Sequence, residues 1–404
     1  MRTFIVAVSC ALMLCTSALA NTYTIRSRHY EIVTDLPRND VREISAHMDA
    51  VASEFADRLS SFPVRNSMRN RLFIFADQQG YLEHLAGLGI DARNTGGMFY
   101  VQQGQSGLCT WVAGRSRAQM YHVLQHEGFH QFVHARIGPQ FPIWANEGLA
   151  EYFGQALLVD GGLRTGIAPA SRINRLKHAI KQQEHLPFAD IMRLSNRDWA
   201  ARVTGGDARS GLMYDQAWSM VHFLVHANNG RYADAFETFI ELMSRGVGVD
   251  QALEEAFGTT RLDIFELRWA EHVLEMEPDW HSTVAERLEF LGAGLVYLHE
   301  EGRRPDDIDA LRIELQRVQF RLEFREHGNH RLYHALDDAL FTLPPGGEKT
   351  VRRRTSEPTM RLRDNPEDPD RLPPAIEVTG GKTDVALLWT FGPDGAPLSE
   401  IVFH

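Results

Sequence analysis

The spacing of apolar residues divides the chain into a strand-rich opening and a long helical remainder. Tyr23 to Val33 alternates as a half-buried strand does, and Val41, Ile44, Met48, Val51 and Phe55 then recur at helical spacing. That pattern predicts an amphipathic helix from about Asp40 to Leu59. Arg71 to Phe75 reads as a buried strand feeding a helix around Tyr81 to Leu88. Two apolar runs, Met98 to Val101 and Leu108 to Val112, flank the glycines at 104 and 107, which predicts a hairpin.

From Ser116 to about Glu277 the period is helical. One helix runs from about Ser116 to Ile137 and is stopped by Gly138-Pro139, since proline cannot continue a helix and glycine readily leaves it. A second helix begins near Trp144, another spans Tyr214 to Ala227, two lie between Arg231 and Phe257, and Arg261 to Met276 completes the set. Two further amphipathic stretches carry the helical pattern to about Leu340. Pro344 to Pro374, rich in proline and charge, reads as a linker without stable structure. Two strand-like runs, Val385 to Phe391 and Leu398 to Phe403, close the chain around a Gly392-Pro393-Asp394-Gly395 turn. The expected division is a signal peptide (1–20), an α+β part (21–115), a helical part (116–278), a helical extension (279–343), the linker (344–374) and a short hairpin tail (375–404).

The first twenty residues resemble an export signal in pattern: Arg2, an apolar stretch from Phe4 to Leu14, and a small-x-small site at Ala18-Leu19-Ala20. An exported protein, periplasmic or secreted, is therefore expected, with no stable membrane insertion after cleavage. Of the three cysteines, Cys10 and Cys15 fall inside that signal. Only Cys109 remains, so an internal disulfide is excluded from the mature chain. A net charge of -11 argues against a nucleic-acid partner, which would need a cationic footprint.

Candidate chemistry is concentrated in His126-Glu127-Gly128-Phe129-His130. On a helix, positions i and i+4 share a face, so both imidazoles can reach one metal ion about 2 Å from each nitrogen. Glu127, one step round, points beside such a metal, where a base can take a proton from water. A catalytic zinc needs one more protein ligand. Beyond the Gly138-Pro139 break, the helix containing Trp144-Ala145-Asn146-Glu147-Gly148-Leu149-Ala150-Glu151-Tyr152-Phe153 can fold back and offer Glu147. Its apolar residues mark it as largely buried. Glu151, one turn on, can hydrogen-bond a ligand imidazole from behind.

These residues resemble the gluzincin metallopeptidases, in which a His-Glu-x-x-His helix is followed by a helix carrying a glutamate ligand; Asn146 to Tyr152 is similar to that second helix. The resemblance implies a zincin-like α+β fold, one zinc ion per chain, and a peptide or protein substrate. Tyr214, in Met213-Tyr214-Asp215-Gln216-Ala217-Trp218, resembles the tyrosine that stabilises the oxyanion in several gluzincin families. By the same analogy, the strand at Met98 to Val101 or at Leu108 to Val112 would pair with an extended substrate. Gly97-Met98-Phe99-Tyr100 lacks the glutamate that binds a free amine in the aminopeptidase branch, so an endopeptidase is the expected activity. Two alternatives share these residues. A silent peptidase-like scaffold would bind a peptide or partner without turnover. A metal-storage protein would use the whole stripe of His122, His126, His130 and His134, and would hold several ions weakly instead of one tightly.

Overall fold

A computed structural model of the chain describes residues 22–62, 69–102, 104–204, 209–326, 329–346 and 357–404. The expected signal at 1–20 and part of the expected linker, 347–356, lie outside the described residues. The fold is α+β: a mixed sheet opens the chain and a helical body follows.

The opening sheet is built from β1 (Tyr23–Arg26), β2 (Tyr30–Thr34), β3 (Asn70–Phe75), β4 (Gly97–Gln102) and β5 (Gln105–Trp111), in the spatial order β1-β2-β3-β5-β4. The single strand expected over Tyr23 to Val33 is in fact the β1–β2 pair, because Ser27 to His29 turn the chain back. Strands β2, β3 and β5 run parallel, and β4 returns antiparallel to β5 as the outer strand. Parallel neighbours require crossover helices, and α1 (Arg38–Arg58) and α2 (Gln78–Gly87) supply them on opposite faces. On one face Ile32, Leu72, Ile74 and Leu108 pack against Ile44 and Met48 of α1. On the other, Phe73, Phe75, Cys109 and Trp111 pack against Tyr81 and Leu85 of α2.

Helix α3 (Arg117–Arg136) lies against the α1 face through Met120 and Leu124. It begins at a capping box between Ser116 and Gln119, which satisfies two amides that the helix leaves unpaired. At its far end the amides of Ile137 and Gly138 both bond Val133 O, and Gly138 (φ 112°) turns the chain. Only a residue without a Cβ adopts that conformation freely. Helix α4 (Ile143–Gly154) then runs back along α3, as the Gly-Pro break implies.

The helical body continues through β6 (Leu157–Val159), β7 (Gly162–Arg164), α5 (Ala170–Gln182), α6 (Phe188–Ile191), α7 (Asn196–Thr204), α8 (Ser210–Gly230), α9 (Ala233–Ser244), α10 (Val249–Phe257) and α11 (Leu262–Glu275). Its core centres on Trp144, Trp218 and Trp269, with Phe129, Phe153, Phe223 and Phe239 around them. Helices α4 and α8 approach very closely. A Cβ on Gly148 would lie 2.5 Å from Ala217 O, so the contact exists only because residue 148 has no side chain.

The last third departs from expectation. Helices α12 (Trp280–Glu300) and α13 (Ile308–Arg317) form, but β8 (Arg321–Glu326) and β9 (Asn329–His334) come next as a hairpin where helix was expected to about Leu340. The alternation Arg321, Leu322, Glu323, Phe324 has period two, and Leu322 packs beside α12. The expected linker is likewise structured in its described part. Strand β10 (Thr359–Arg363) pairs with β11 (Ala375–Thr379), and Leu372 is buried between them. The closing pair, β12 (Val385–Phe391) and β13 (Pro397–Phe403), forms the expected hairpin but belongs to a sheet ordered β10-β11-β12-β13-β6-β7. This module therefore joins the helical body through β6, and Leu398 reaches the α3 side of the first sheet.

Candidate metal centre

The antiparallel packing of α3 on α4 brings His126, His130 and Glu147 together. Nε2 of His126 lies 3.1 Å from Nε2 of His130, and Glu147 Oε2 lies 3.6 Å from the first and 3.5 Å from the second. Three donors set tetrahedrally at ordinary zinc bond lengths would be separated by about 3.3 Å. The three separations bracket that value, so two imidazoles and a carboxylate converge as ligands to a single ion of zinc's size do. Among the described residues, they form the one group of three or more such side chains close enough to share a metal. The electrostatics agree. Burial works against a cation on His130, yet the fields of Glu147 and Glu127 outweigh it and push its pKa up to about 9.

The outward nitrogens of the two rings are also engaged. Asn146 Oδ1 accepts from His130 Nδ1 at 3.1 Å, and Glu151 Oε1 lies 3.4 Å from His126 Nδ1. A proton on each Nδ1 would leave Nε2 as a lone pair facing the centre, the tautomer that a bound metal would select. Glu151 thus occupies the place that its position one turn after Glu147 implies. Asn146 is an addition to the residues expected from sequence; its readable signal is its place immediately before Glu147, at the start of a helix packed on His130.

The remaining histidines of the α3 stripe have different partners. His122 Nδ1 donates to Gly154 O at 2.8 Å, at the end of α4. Gln125 Nε2 donates to the carbonyls of Phe153, Gly154 and Ala156, so α3 side chains cap the helix that carries Glu147. His134 is exposed and faces Phe99, with ring centroids 5.5 Å apart. The stripe comprises a central pair facing the carboxylate and two outer rings with separate structural contacts.

Glu127 does not join the three donors. Its Oε2 accepts from the Phe99 amide at 2.7 Å, so it lies between the histidine pair and the outer strand β4. Of the two strands considered for substrate pairing, β5 is interior and β4 is the edge. Gly97 permits this proximity: a Cβ there would lie 2.3 Å from Val123 Cγ1 of α3. Tyr214, near the start of α8, is buried against Trp199 with centroids 5.4 Å apart. Burial, then the fields of Glu147, Glu151 and Glu127, raises its phenol well above the usual range. The hydroxyl therefore stays neutral, within electrostatic reach of those carboxylates. Cys109 sits on the opposite, α2-facing side of the sheet, and burial pushes its thiol far up, so it is an inert core residue.

Behind Glu151 lies a group that sequence reasoning did not reach. Arg172 of α5 donates to Glu151 Oε2 at 2.5 Å and contacts Asp215 of α8. Its readable signal is a charge on an apolar stripe, since Arg172, Ile173, Leu176 and Ala179 form the buried side of α5.

Residues 121–246 match a family model described as "Protein of unknown function (DUF1570)". No curated protein matches the chain. The matched stretch contains every residue placed at this centre by α3, α4, α5 and α8, from His126 through Tyr214.

Proposed function

We propose that this chain is a zinc-dependent endopeptidase of the gluzincin type with a zincin-like catalytic part, acting on peptides or unfolded protein. The observation that carries the reading is the convergence of His126 Nε2, His130 Nε2 and Glu147 Oε2 at 3.1 to 3.6 Å, with a further carboxylate, Glu127, beside it. A zinc ion held by those three residues would polarise a scissile carbonyl and make a water molecule acidic.

The chain's own residues account for the remaining requirements. Glu127 accepts a proton from water and passes it to the departing amine, a transfer contributing about 10²- to 10⁴-fold to rate. The Tyr214 phenol stays neutral and donates a hydrogen bond to the oxyanion that develops at the attacked carbonyl. Strand β4 is the outer strand of its sheet on the Glu127 side, where an extended peptide adds as one more strand through main-chain hydrogen bonds. Such pairing reads the backbone of a segment at any position in a chain, which suits an endopeptidase. An exported location is part of the same proposal. Among the described residues no helix is long and apolar enough to cross a membrane.

The test compares cleavage of an unfolded protein by the purified chain and by Glu127→Gln, with zinc content measured in both. Loss of at least about 100-fold in turnover with zinc retained is the expected result. Equal turnover in the variant would remove Glu127 from the reaction and defeat the mechanism.

A further inference from the structure

Two buried acids lie behind the candidate metal centre, and one arginine joins them. Glu151 and Asp215 are both 0% exposed and Arg172 is 2% exposed. Arg172 Nη2 sits 2.5 Å from Glu151 Oε2, and its Nε lies 3.4 Å from Asp215 Oδ1. Its guanidinium carbon is also 5.6 Å from the centre of the Trp218 ring. Arg175, one helical turn on, closes the chain with two hydrogen bonds to Asp215, at 2.7 and 3.0 Å. The order is His126, Glu151, Arg172, Asp215, Arg175: after the histidine, two carboxylates and two guanidiniums alternate from the interior outward to the partly exposed Arg175.

A buried carboxylate is costly unless it is paired and hydrogen-bonded. Glu151 divides its oxygens: Oε2 faces Arg172 and Oε1 faces His126 Nδ1 at 3.4 Å. The arginine thus fixes the rotamer of the group that orients His126. Only a planar fork can hold Glu151 with one nitrogen and Asp215 with another at the same time. Helix α5 is thereby tied to α4 and α8 at the level of the site.

We propose that Arg172 is a positioning residue for the metal centre, acting on His126 through Glu151 and itself held by Asp215 and Arg175. The inference rests on the reading of His126, His130 and Glu147 as metal ligands. It adds that the strength of metal binding is set in part by a guanidinium on a third helix that touches neither ligand nor substrate.

The test measures zinc affinity by competition with a chromogenic chelator. The proteins compared are the wild-type chain, Arg172→Met, Arg172→Lys and a control, Ile240→Ala, which truncates a buried side chain of α9. Denaturant unfolding of each metal-free protein is followed in parallel. Arg172→Met is expected to weaken zinc binding about 10- to 100-fold, the usual consequence of losing a group behind a ligand. Arg172→Lys keeps the charge but reaches one acid at a time, so its affinity should fall between the two. Ile240→Ala should lower the unfolding midpoint yet leave zinc affinity of the folded protein within about twofold, separating positioning from general stability. If Arg172→Met does not fold, Arg172→Lys decides: unchanged affinity in it overturns the proposal. Equal loss in Ile240→Ala also overturns it, since the effect would then be one of stability alone. A wild-type chain without zinc removes the parent reading and this inference together, whereas wild-type binding matched by both Arg172 variants removes this inference only.

Discussion

Replacing Gly148 with alanine sets two effects of opposite sign against each other. Alanine in the interior of α4 would favour the helix by about 1 kcal/mol over glycine. The added methyl, however, would lie 2.5 Å from Ala217 O and 2.8 Å from Val221 Cγ2, where ordinary contact begins at 3.4 Å. The helices must separate by about 3.4 − 2.5 = 0.9 Å at that point, because a backbone carbonyl cannot rotate away as a side chain can. Overpacking of this kind costs about 1 to 3 kcal/mol, and a backbone clash belongs at the upper end. Gly148→Ala should therefore be destabilised by about 2 kcal/mol. Glu147 is the adjacent residue, and metal bonds tolerate only about 0.2 Å of error, so zinc affinity should fall at least about tenfold. Urea unfolding followed by tryptophan fluorescence, which reports on Trp144 and Trp218, gives the stability. Chelator competition gives the affinity. A variant as stable as the wild type that holds zinc equally well would refute the reasoning about the α4–α8 contact.

The same geometry predicts three more outcomes. His130→Ala should abolish tight zinc binding while His122→Ala retains one zinc, as measured by metal analysis after dialysis, because His122 is engaged with Gly154 O. Burial, then the fields of His226 and His272, lowers the His222 pKa to about 3 from 6.5. Its folded pKa lies below the unfolded one, so its contribution is intact above about pH 6.5 and lost as pH falls below it, by about 1.4 kcal/mol per unit. Denaturant unfolding across about pH 4 to 7 should accordingly show a flatter slope in His222→Gln than in the wild type; identical slopes would contradict this. Finally, Cys109 should react with a thiol reagent only after unfolding, and rapid labelling of the native protein would disprove its burial.

The centre was legible in the sequence because its parts are local. A helix places His126, Glu127 and His130 by spacing alone, and the Gly138-Pro139 break supplies the reversal that returns Glu147. The pattern of the helical body was legible for the same reason, since its helices carry a 3.6-residue period over many turns. The features that were not legible depend on partners far along the chain. Arg172 and Asp215 are 43 positions apart, and nothing in either neighbourhood names the other. Strands β6 and β7 have three residues each, too few for a period to register. In β8 and β10 the polar members are mostly arginine and glutamate, which read equally well as a solvated helix face or a linker until the pairing strand is known.

Whether His126, His130 and Glu147 hold one metal ion tests the premise on which the peptidase reading rests. The most direct measurement is zinc per chain in the purified wild type and in Glu147→Ala after dialysis against a weak chelator. One zinc per chain in the wild type, and a small fraction of that in the variant, is the predicted result. No zinc in the wild type, or the same content in both, would contradict the ligand assignment and the proposed peptidase with it.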